Sequence, residues 1–466
     1  MHKVNIGKAI HFVPEGTVLS EVLFRAQERI EHPCGGKGIC QKCLVRVNGE
    51  ETLACQYCIR SDITVEIPEA EELVSETGVQ GTEKLTDAFN FVLDLGTTTL
   101  AMAVVSLPDQ RAISVVTSAN PQRTFGADIM TRIDFCRKYG VERLKDILIK
   151  EINKMIGSFD AAVAERLYVA GNTTMLHLLL GVDCSAIGVS PYTPAFLSKQ
   201  CRKAEELGIE GVQFVETLPS IAAFVGADLV AGLNCVEMPA DGKYSLLVDL
   251  GTNAEILLFS KESILCTAAA AGPCFEGANI SCGMSATRGA IFAYADGVAQ
   301  TIGDVQPKGI CGTGLFDVVA ELLRKEIVDA TGFMEDWSFA VTPNIQITQG
   351  DIRQFQLAKA AVCAGIQTLM QKQGVDESHI ETVYISGGFS AKINIGNAIE
   401  TGLIPEDLGD KCKCINNSCL QGMLRYACER NDLERLIKQA VYVDLASDTA
   451  FADLFVSNML FSGDDI

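Results

Sequence analysis

The feature that most constrains this chain is a short sequence motif that occurs twice, an apolar run followed by Asp-Leu-Gly-Thr. The first copy covers residues 91–100 (FVLDLGTTTL) and the second covers residues 246–253 (LLVDLGTN). Each run predicts a buried strand, the Gly-Thr pair a tight turn, and the residues that follow (100–105 and 254–259) a second strand. One copy would be weak evidence, because buried strands often end in Asp and Gly. Two copies predict two related halves that close on one nucleotide.

Both turns have the chemistry that a phosphate and its metal ion require. Glycine lets the backbone come close to a ligand, and the hydroxyl and N–H groups after it can donate hydrogen bonds to phosphate oxygens. Asp94 and Asp249, at the two strand ends, are placed to hold a hydrated metal ion or to orient a water molecule. We therefore expect both aspartates to be catalytic. The turn residues that we expect to bind the nucleotide are Gly96, Thr97, Thr98, Thr99, Gly251, Thr252 and Asn253.

Three further segments are rich in glycine, which usually marks a close approach of the backbone to a ligand. The turn at 312–314 leads into an amphipathic helix, 315–327, whose N-terminal N–H groups suit phosphate. A strand over 383–386 ends in a glycine pair, against which an adenine ring can lie. The glycines expected to contribute to the nucleotide site are Gly272, Gly312, Gly314, Gly387 and Gly388.

Two more helices are expected in this part of the chain. One covers residues 175–180 and follows a Gly-Asn turn, where Asn172 either belongs to the site or is an ordinary amide cap of the helix. The other is a helix of small residues over 220–228 that suits a hinge or a lobe interface. His177, on the first of these helices, is expected to be a packed core histidine rather than a ligand.

The first seventy residues contain four cysteines with the spacing Cys-x5-Cys-x2-Cys-x11-Cys. They are Cys34, Cys40, Cys43 and Cys55. Three thiolates on one glycine-rich loop and a fourth from a nearby strand end can surround a 2Fe–2S cluster. A structural zinc site is the alternative, although zinc ribbons usually present two separated Cys-x2-Cys pairs. Cys58 is a spare thiol close to the fourth ligand.

The segment around these cysteines resembles the 2Fe–2S ferredoxins. A hairpin over 4–12, a helix over 19–30 and strands over 44–47 and 63–67 together predict a small β-grasp domain. The common plant-type loop has four residues between its first two cysteines, whereas this loop has five. The difference affects the expected potential of the cluster and not its type.

Length and composition divide the chain and exclude several classes of partner. At about 150 residues per domain, 466 residues suffice for about three. The expected domains are 1–68 (ferredoxin type), 69–88 (an acidic, polar linker), 89–245 (first ATPase lobe) and 246–466 (second ATPase lobe). The formal charge of -21 argues against a nucleic-acid partner. The sequence shows neither an apolar run long enough for a membrane span nor a signal peptide, so we expect a cytoplasmic protein. Its 18 cysteines are then mostly reduced thiols, which suits an anaerobe.

The two hairpins and the Ser-Gly-Gly-Phe turn at 386–389 resemble the acetate-kinase, sugar-kinase, Hsc70 and actin superfamily of ATPases. With a ferredoxin domain ahead of them, the chain resembles the reductive activators of corrinoid-dependent methyltransferases over nearly its whole length. The resemblance implies an α/β and α+β protein, a β-grasp 2Fe–2S domain followed by a two-lobed actin-like (RNase H-like) ATPase. It places the first phosphate turn at 94–98, the second at 249–253 and the adenosine turn at Gly387 and Gly388.

The resemblance also implies an activity, cofactors and partners. The activity is the one-electron reduction of a Co(II) corrinoid to Co(I), coupled to ATP binding and hydrolysis with Mg²⁺. The partners are the corrinoid protein of a methyltransferase system and an upstream low-potential electron donor, and related ATPases often pair, which allows a homodimer. Three alternatives stay open: an ATP-driven electron donor to another enzyme, a redox-regulated small-molecule kinase, and an actin- or Hsc70-like interaction protein with a structural cluster.

Overall fold

The computed structural model describes residues 1–26, 28, 30, 36, 38, 43–68, 88–159, 161–388 and 392–461 of the chain. The described residues before 218 form one compact unit, and those from 218 onward form a second. The linker predicted at 69–88 lies, except for residue 88, outside the described residues. In the part of the chain that is described, no helix has both the length and the apolar character that a bilayer crossing demands.

The N-terminal part of the first unit is a five-stranded sheet with one helix. Its elements are β1 His2–Ile6, β2 Ala9–Val13, α1 Leu19–Arg25, β3 Leu44–Val47, β4 Glu50–Leu53 and β5 Ile63–Glu66. The strand order is β2-β1-β5-β3-β4, and β1 runs parallel to β5 while the other neighbours are antiparallel. The alternating burial of β3 and β5 places one face of the sheet on its own core. This is the predicted β-grasp arrangement, although α1 ends at Arg25 rather than at residue 30 and β4 is additional.

The rest of the first unit is a six-stranded sheet with four helices. Its elements are β6 Phe89–Leu95, β7 Thr99–Ser106, β8 Arg111–Ala119, α2 Ile129–Tyr139, α3 Glu142–Gly157, β9 Ala164–Gly171, α4 Thr173–Leu180, β10 Gln200–Lys203, α5 Ala204–Leu207 and β11 Val212–Thr217. The strand order is β10-β11-β9-β6-β7-β8. Strands β6, β7 and β8 form an antiparallel meander, and β9 and β11 continue the sheet in parallel on the other side of β6.

The second unit repeats this arrangement. Its main sheet contains β12 Tyr244–Leu250, β13 Ala254–Phe259, β14 Ile264–Ala269, β20 Ile380–Ser386, β21 Cys412–Cys414 and β22 Ala440–Tyr442, in the order β21-β20-β12-β13-β14-β22. Here β12, β13 and β14 form the antiparallel meander, and β20 and β21 extend it in parallel beyond β12. Because β6 and β12 hold equivalent places, the duplication inferred from the sequence is a duplication of fold.

Two small sheets and seven helices complete the second unit as described. The small sheets consist of β15 Ala290–Ala295, β16 Val298–Thr301 and β17 Gly309–Ile310, and of β18 Ser338–Thr342 and β19 Ile345–Thr348. The helices are α6 Ala227–Cys235, α7 Gly312–Arg324, α8 Gln349–Gln373, α9 Ile395–Glu400, α10 Ser418–Glu429, α11 Leu433–Ile437 and α12 Thr449–Ser457. Helix α8 begins at a capping box between Thr348 and Asp351 and ends at Gly374, whose left-handed backbone closes the last turn.

The central strands form where the sequence has continuous apolar runs. Residues of β6 and β12 are buried without alternation up to the aspartate, because helices and loops cover both faces of each sheet. The aspartate is partly exposed in both copies, which places Asp94 and Asp249 where each strand leaves its core. The fold therefore puts both acids at the carboxyl end of a central strand, the edge at which open α/β sheets bind their ligands.

The helix expected at 220–228 is wrong. The chain there makes an isolated bridge between Ala222 and Val225, and Gly226 is extended, so that α6 begins only at Ala227. Helix α6 then crosses α10 so closely that a Cβ at Gly422 would lie 1.7 Å from the Ala231 carbonyl oxygen. Residues 218–242 belong to the second compact unit. The boundary between the two ATPase lobes, predicted at 245/246, stays a prediction.

Candidate functional site

The first phosphate turn connects β6 to β7. Asp94 pairs with Ala101 across the hairpin and with Ala170 on the parallel neighbour β9. A Cβ at Gly96 would come within 2.4 Å of the Thr99 carbonyl oxygen, so the turn requires glycine at that position. Thr97 and Thr98 are partly exposed.

Three consecutive carbonyl groups of this turn are held by the protein. The Asn120 side chain donates to the Gly96 oxygen at 2.8 Å, and the Asn120 backbone N–H donates to the Thr98 oxygen at 2.9 Å. The Arg132 guanidinium donates to the Thr97 oxygen at 2.6 Å. In a trans peptide the C=O and the next N–H point in opposite directions. The N–H groups of Thr97 and Thr98 therefore point away from Asn120 and Arg132, and among the described residues neither has an acceptor.

Asn172 contributes a fourth support from the strand–helix junction after β9. Its side-chain oxygen caps α4 by accepting the Met175 N–H at 2.9 Å, and its Nδ2 donates to the Thr97 hydroxyl oxygen at 2.9 Å. The expected amide cap of α4 is therefore confirmed, and the same amide contacts Thr97, while its part in a nucleotide site stays a prediction. Asn120 and Arg132 were missed, and no local pattern in the sequence links them to the turn.

The second phosphate turn connects β12 to β13 and is surrounded by carboxylates. Asp249 lies opposite Glu255 across the hairpin, and the Thr252 hydroxyl donates to Glu276 at 2.9 Å. Burial, together with the negative charges of Asp228, Asp249 and Glu276, raises the pKa of Glu255 well above its usual value. A Cβ at Gly251 would meet nothing closer than 3.4 Å, so this glycine leaves open space beside the turn.

This acidic group fits a hard cation such as Mg²⁺ only in part. Its donors are all oxygens, as Mg²⁺ prefers. Within the described residues, however, no three His, Cys, Asp or Glu side chains converge into a ready coordination sphere. Mg²⁺ usually keeps several waters and binds one or two carboxylates together with substrate phosphates. The arrangement therefore suits a magnesium ion that arrives with a nucleotide.

The predicted adenosine turn lies next to the second phosphate turn. Ser386 pairs with Asp249 in the sheet, and a Cβ at Gly387 would lie 2.1 Å from the Leu250 carbonyl oxygen. Gly387 also has a φ of 121°, which L side chains rarely adopt. Gly388 is exposed with no atom within 4 Å of a Cβ position. The pair thus combines one glycine that the packing requires with one that faces open space.

The remaining predicted glycines differ in their surroundings. Gly272 has a φ of 76° and open space around its Cβ position. Gly312 and Gly314 are buried at the start of α7, where a Cβ would lie 2.0 Å from the Phe275 oxygen and 2.2 Å from the Ile291 oxygen, respectively. Backbone packing alone explains these two glycines, and their contact with phosphate stays a prediction.

Two of the four predicted cluster ligands are described, and both thiols are buried. The Ala54 N–H donates to the Cys43 carbonyl oxygen at 2.9 Å, which brings Cys43 and Cys55 to neighbouring strand ends. Cys34 and Cys40 lie outside the described residues. Gly36 and Gly38, on the same loop, have positive φ values of 90° and 75°. Two inward thiols beside a glycine-rich loop fit one half of a 2Fe–2S site. Cys58 is exposed.

The N-terminal sheet contacts the first phosphate-turn domain through aromatic rings. Phe24 of α1 lies 5.3 Å from Phe125 between ring centroids, and Phe125 lies 4.8 Å from Phe135 of α2. Gly126, which follows Phe125, accepts a hydrogen bond from Arg132 at 2.9 Å. The ring contact of Phe125 is therefore linked, through the neighbouring Gly126, to Arg132, the side chain that holds the first phosphate turn.

His177 is the packed core histidine that was expected. Its ring is fully buried and stacks on Phe196 at 4.1 Å. Nδ1 is 2.7 Å from the Thr173 oxygen, and Nε2 accepts the Ala195 N–H at 3.1 Å, an arrangement that needs the neutral ring with its proton on Nδ1.

Comparison with known proteins agrees with this architecture. Residues 4–69 match the family described as the 2Fe-2S iron-sulfur cluster binding domain, and residues 89–241 match the RACo middle region. Residues 243–466 match the C-terminal domain of RACo, the ASKHA domain. The chain belongs to the RACo family. The resemblance to reductive activators, the fold class, the 2Fe–2S cluster and the ATP-binding region predicted from the sequence are thereby confirmed.

Two relatives and a solved structure match three quarters of this chain or more. The corrinoid activation enzyme RamQ of Eubacterium limosum is 25% identical, covering 97% of this chain and 98% of its own length. The [Co(II) methylated amine-specific corrinoid protein] reductase of Methanosarcina barkeri is 26% identical, over 76% of this chain and 72% of its own. A solved structure of a reductive activator for corrinoid, iron-sulfur protein is 26% identical with a TM-score of 0.71, covering 100% of this chain and 99% of that one.

Proposed function

We propose that this protein reactivates a corrinoid protein by ATP-dependent, one-electron reduction of Co(II) to Co(I). The observation that carries the proposal is that one chain combines two features. It has a two-cysteine half-site on a ferredoxin-type sheet, and it has two copies of an Asp-Leu-Gly-Thr turn. The relatives named as corrinoid activators share this order of domains over nearly their full length. A cytoplasmic location suits the free thiols among the described cysteines.

The first turn binds and orients the triphosphate. The N–H groups of Thr97 and Thr98 point away from Asn120 and Arg132, which hold the carbonyls of the preceding residues, and they donate to anionic oxygens of the nucleotide. The Thr97 hydroxyl, which accepts from Asn172, keeps its own proton for donation to phosphate. Asp94, at the end of β6, would help to hold the hydrated Mg²⁺.

The second turn acts where the γ-phosphate is attacked. Asp249 orients the attacking water molecule or shares the metal, and Thr252 is fixed by its bond to Glu276. When bound, Mg²⁺ neutralises charge on the phosphates, and Asp94 and Asp249 are the residues that hold it. Gly388 offers open backbone for the adenine ring. None of these roles needs a covalent intermediate, in keeping with phosphoryl transfer by positioning.

Cys34, Cys40, Cys43 and Cys55 hold the cluster. When bound, a 2Fe–2S cluster supplies one electron at a low potential, and the substrate Co(II) gains that electron to become Co(I). A low-potential donor restores the electron. ATP drives this cycle only if its binding and its hydrolysis favour different conformations of the complex with the corrinoid protein. The partner protein, the donor and a pairing of two copies all belong to this proposal.

The experiment is anaerobic reduction of a purified Co(II) corrinoid protein of a methyltransferase system by the cluster-loaded protein. Appearance of Co(I) in the visible spectrum is followed with ATP, with a non-hydrolysable analogue and with no nucleotide. We expect full turnover only with ATP, and loss of turnover in Asp249→Ala with the cluster spectrum unchanged. Equal rates with and without ATP, or an unaffected Asp249→Ala protein, would contradict the proposal.

A further inference from the structure

Arg132 of α2 is a charged side chain in an unusual position. It is fully buried, and its guanidinium donates to the Thr97 oxygen, to the Gly126 oxygen at 2.9 Å and to Gln122 Oε1 at 3.2 Å. Its remaining close neighbour is the Met175 sulfur. All of these acceptors are neutral.

The charge of this guanidinium is not balanced within its surroundings. No carboxylate among the described residues lies within ion-pair distance of Arg132. Asp128, whose negative charge acts on Arg132, makes no ion pair with it and is the N-cap of α2, accepting the Thr131 N–H at 2.8 Å. Burial lowers the pKa of Arg132 to about 9, although Asp128 opposes this effect. A buried cation without an anion is costly for a fold, so a structural role alone would be served better by a neutral side chain.

The position of Arg132 indicates where the missing anion comes from. By drawing the Thr97 carbonyl towards itself, Arg132 turns the N–H of Thr98 to the opposite side of the peptide plane. That N–H, with the N–H of Thr97, has no acceptor in the described structure. One side chain thus both shapes an anion-binding turn and carries an unbalanced positive charge directly behind it.

We infer that Arg132 is the positioning residue of the first phosphate turn and that the nucleotide's polyphosphate supplies the countercharge that the folded protein lacks. This rests on the proposed function only in that a nucleotide binds at the first turn. Nucleotide affinity is then coupled to the guanidinium through one peptide group, and the same residue adjoins Gly126 and, through Phe125, the ring of Phe24.

The test compares Arg132→Gln, Arg132→Lys and a matched control, Arg166→Gln, in the cluster-loaded full chain. Arg166 lies in the same unit, but its guanidinium is paired with Glu216 at 3.0 Å. Dissociation constants for ATP are measured by calorimetry at 25 °C on protein shown to be folded by circular dichroism, and ATPase kcat and KM are measured in parallel.

We expect the Kd of Arg132→Gln for ATP to rise about 10- to 100-fold, as for loss of a charge-assisted hydrogen bond. Arg132→Lys keeps the charge but loses the planar guanidinium, so its Kd for ATP should lie between those of the wild type and Arg132→Gln. Arg166→Gln should stay within about twofold of the wild type, since its charge is balanced locally. The loss should appear mainly in KM, because the turn is mispositioned in the ground state.

An Arg132→Gln protein that is folded and binds ATP within about twofold of the wild type would overturn the inference. If that variant does not fold, Arg132→Lys decides in the same way, because unchanged affinity there overturns the inference and weakened affinity supports it. A wild-type protein that binds no ATP at all would instead refute the proposed function, so the two failures are distinguishable.

Discussion

Gln56 offers a test of how the polypeptide tunes its cluster. Its Nε2 lies 3.5 Å from the Cys55 sulfur and 2.7 Å from the Gly36 carbonyl oxygen, so one amide group spans a ligand and the cluster loop. A Cβ at Gly38 would come within 2.9 Å of the Gln56 side chain, so Gly38 packs closely on this amide. Hydrogen bonds to ligand sulfurs are among the factors that set cluster potentials.

The perturbation is Gln56→Leu, which keeps most of the volume and removes the N–H donor. Reduction adds one negative charge to the cluster, so the bond to sulfur is stronger in the reduced state and its loss should lower the midpoint potential. Only the difference between the two states counts, so the net value of the bond is an upper limit. With about 0.5–1.5 kcal/mol per hydrogen bond, and 1.4 kcal/mol equivalent to about 59 mV for one electron, we expect the midpoint potential to fall by no more than about 65 mV.

The assay is an anaerobic redox titration of the cluster-loaded protein, followed by visible circular dichroism and by electron paramagnetic resonance. Asn5→Leu is the matched control, since it removes an exposed amide whose Nδ2 bonds to Thr64 and to no sulfur. A Gln56→Leu potential that is unchanged or higher than that of wild type, with Asn5→Leu unchanged, would refute the reasoning. Both variants should retain the iron content of the wild type.

Three further outcomes are expected. Gly387→Ala should lose about 1–3 kcal/mol of unfolding free energy because of the φ of 121° at this position, whereas Gly388→Ala should leave the unfolding free energy nearly unchanged. Urea unfolding measures both variants, and equal losses would count against the steric argument. Phe24→Ala should reduce amide-exchange protection over residues 125–139 through loss of a ring contact, while the exposed Phe12→Ala should not; identical protection in both would be contrary evidence. Burial lowers the pKa of His177, so the unfolded chain binds more protons than the folded chain below about pH 6.5. The urea midpoint of the wild type should therefore fall from pH 7.5 to pH 5.5 by more than that of His177→Gln. Equal falls in the two proteins would disprove this linkage.

Sequence patterns predicted the central strands because the signal for them is local. A continuous apolar run followed by Asp and Gly specifies a strand buried on both faces and its end, and β6 and β12 begin and end within two residues of the predicted runs. The amide cap at Asn172 was also readable, since a side chain that caps a helix acts three residues away. The chemistry of the two hairpins could be proposed on this basis alone.

The supports of the first turn could not be predicted from pattern. Asn120 and Arg132 reach the turn only because β8 returns beside β7 and α2 then crosses behind the hairpin, which is a property of topology. The helix expected at 220–228 is absent before Ala227, since small residues are compatible with a helix but also with irregular backbone such as the bridge between Ala222 and Val225. Gly312 and Gly314 show that glycine density marks close backbone approach without saying whether a ligand or another strand approaches.

The two copies of the turn have diverged in charge, and this difference bears on their division of labour. The first is supported by two amides and an unbalanced guanidinium, all of them donors, which favours phosphate oxygens. The second is bordered by Asp228, Glu255 and Glu276, and their negative charges add to the effect of burial in raising the pKa of Glu255. Negative charge repels phosphate unless a cation intervenes, and it favours a metal ion and the polarised water beside it. The present pair suits an anion anchor at the first turn and a metal-dependent hydrolytic position at the second, so loss of Asp249 should stop turnover.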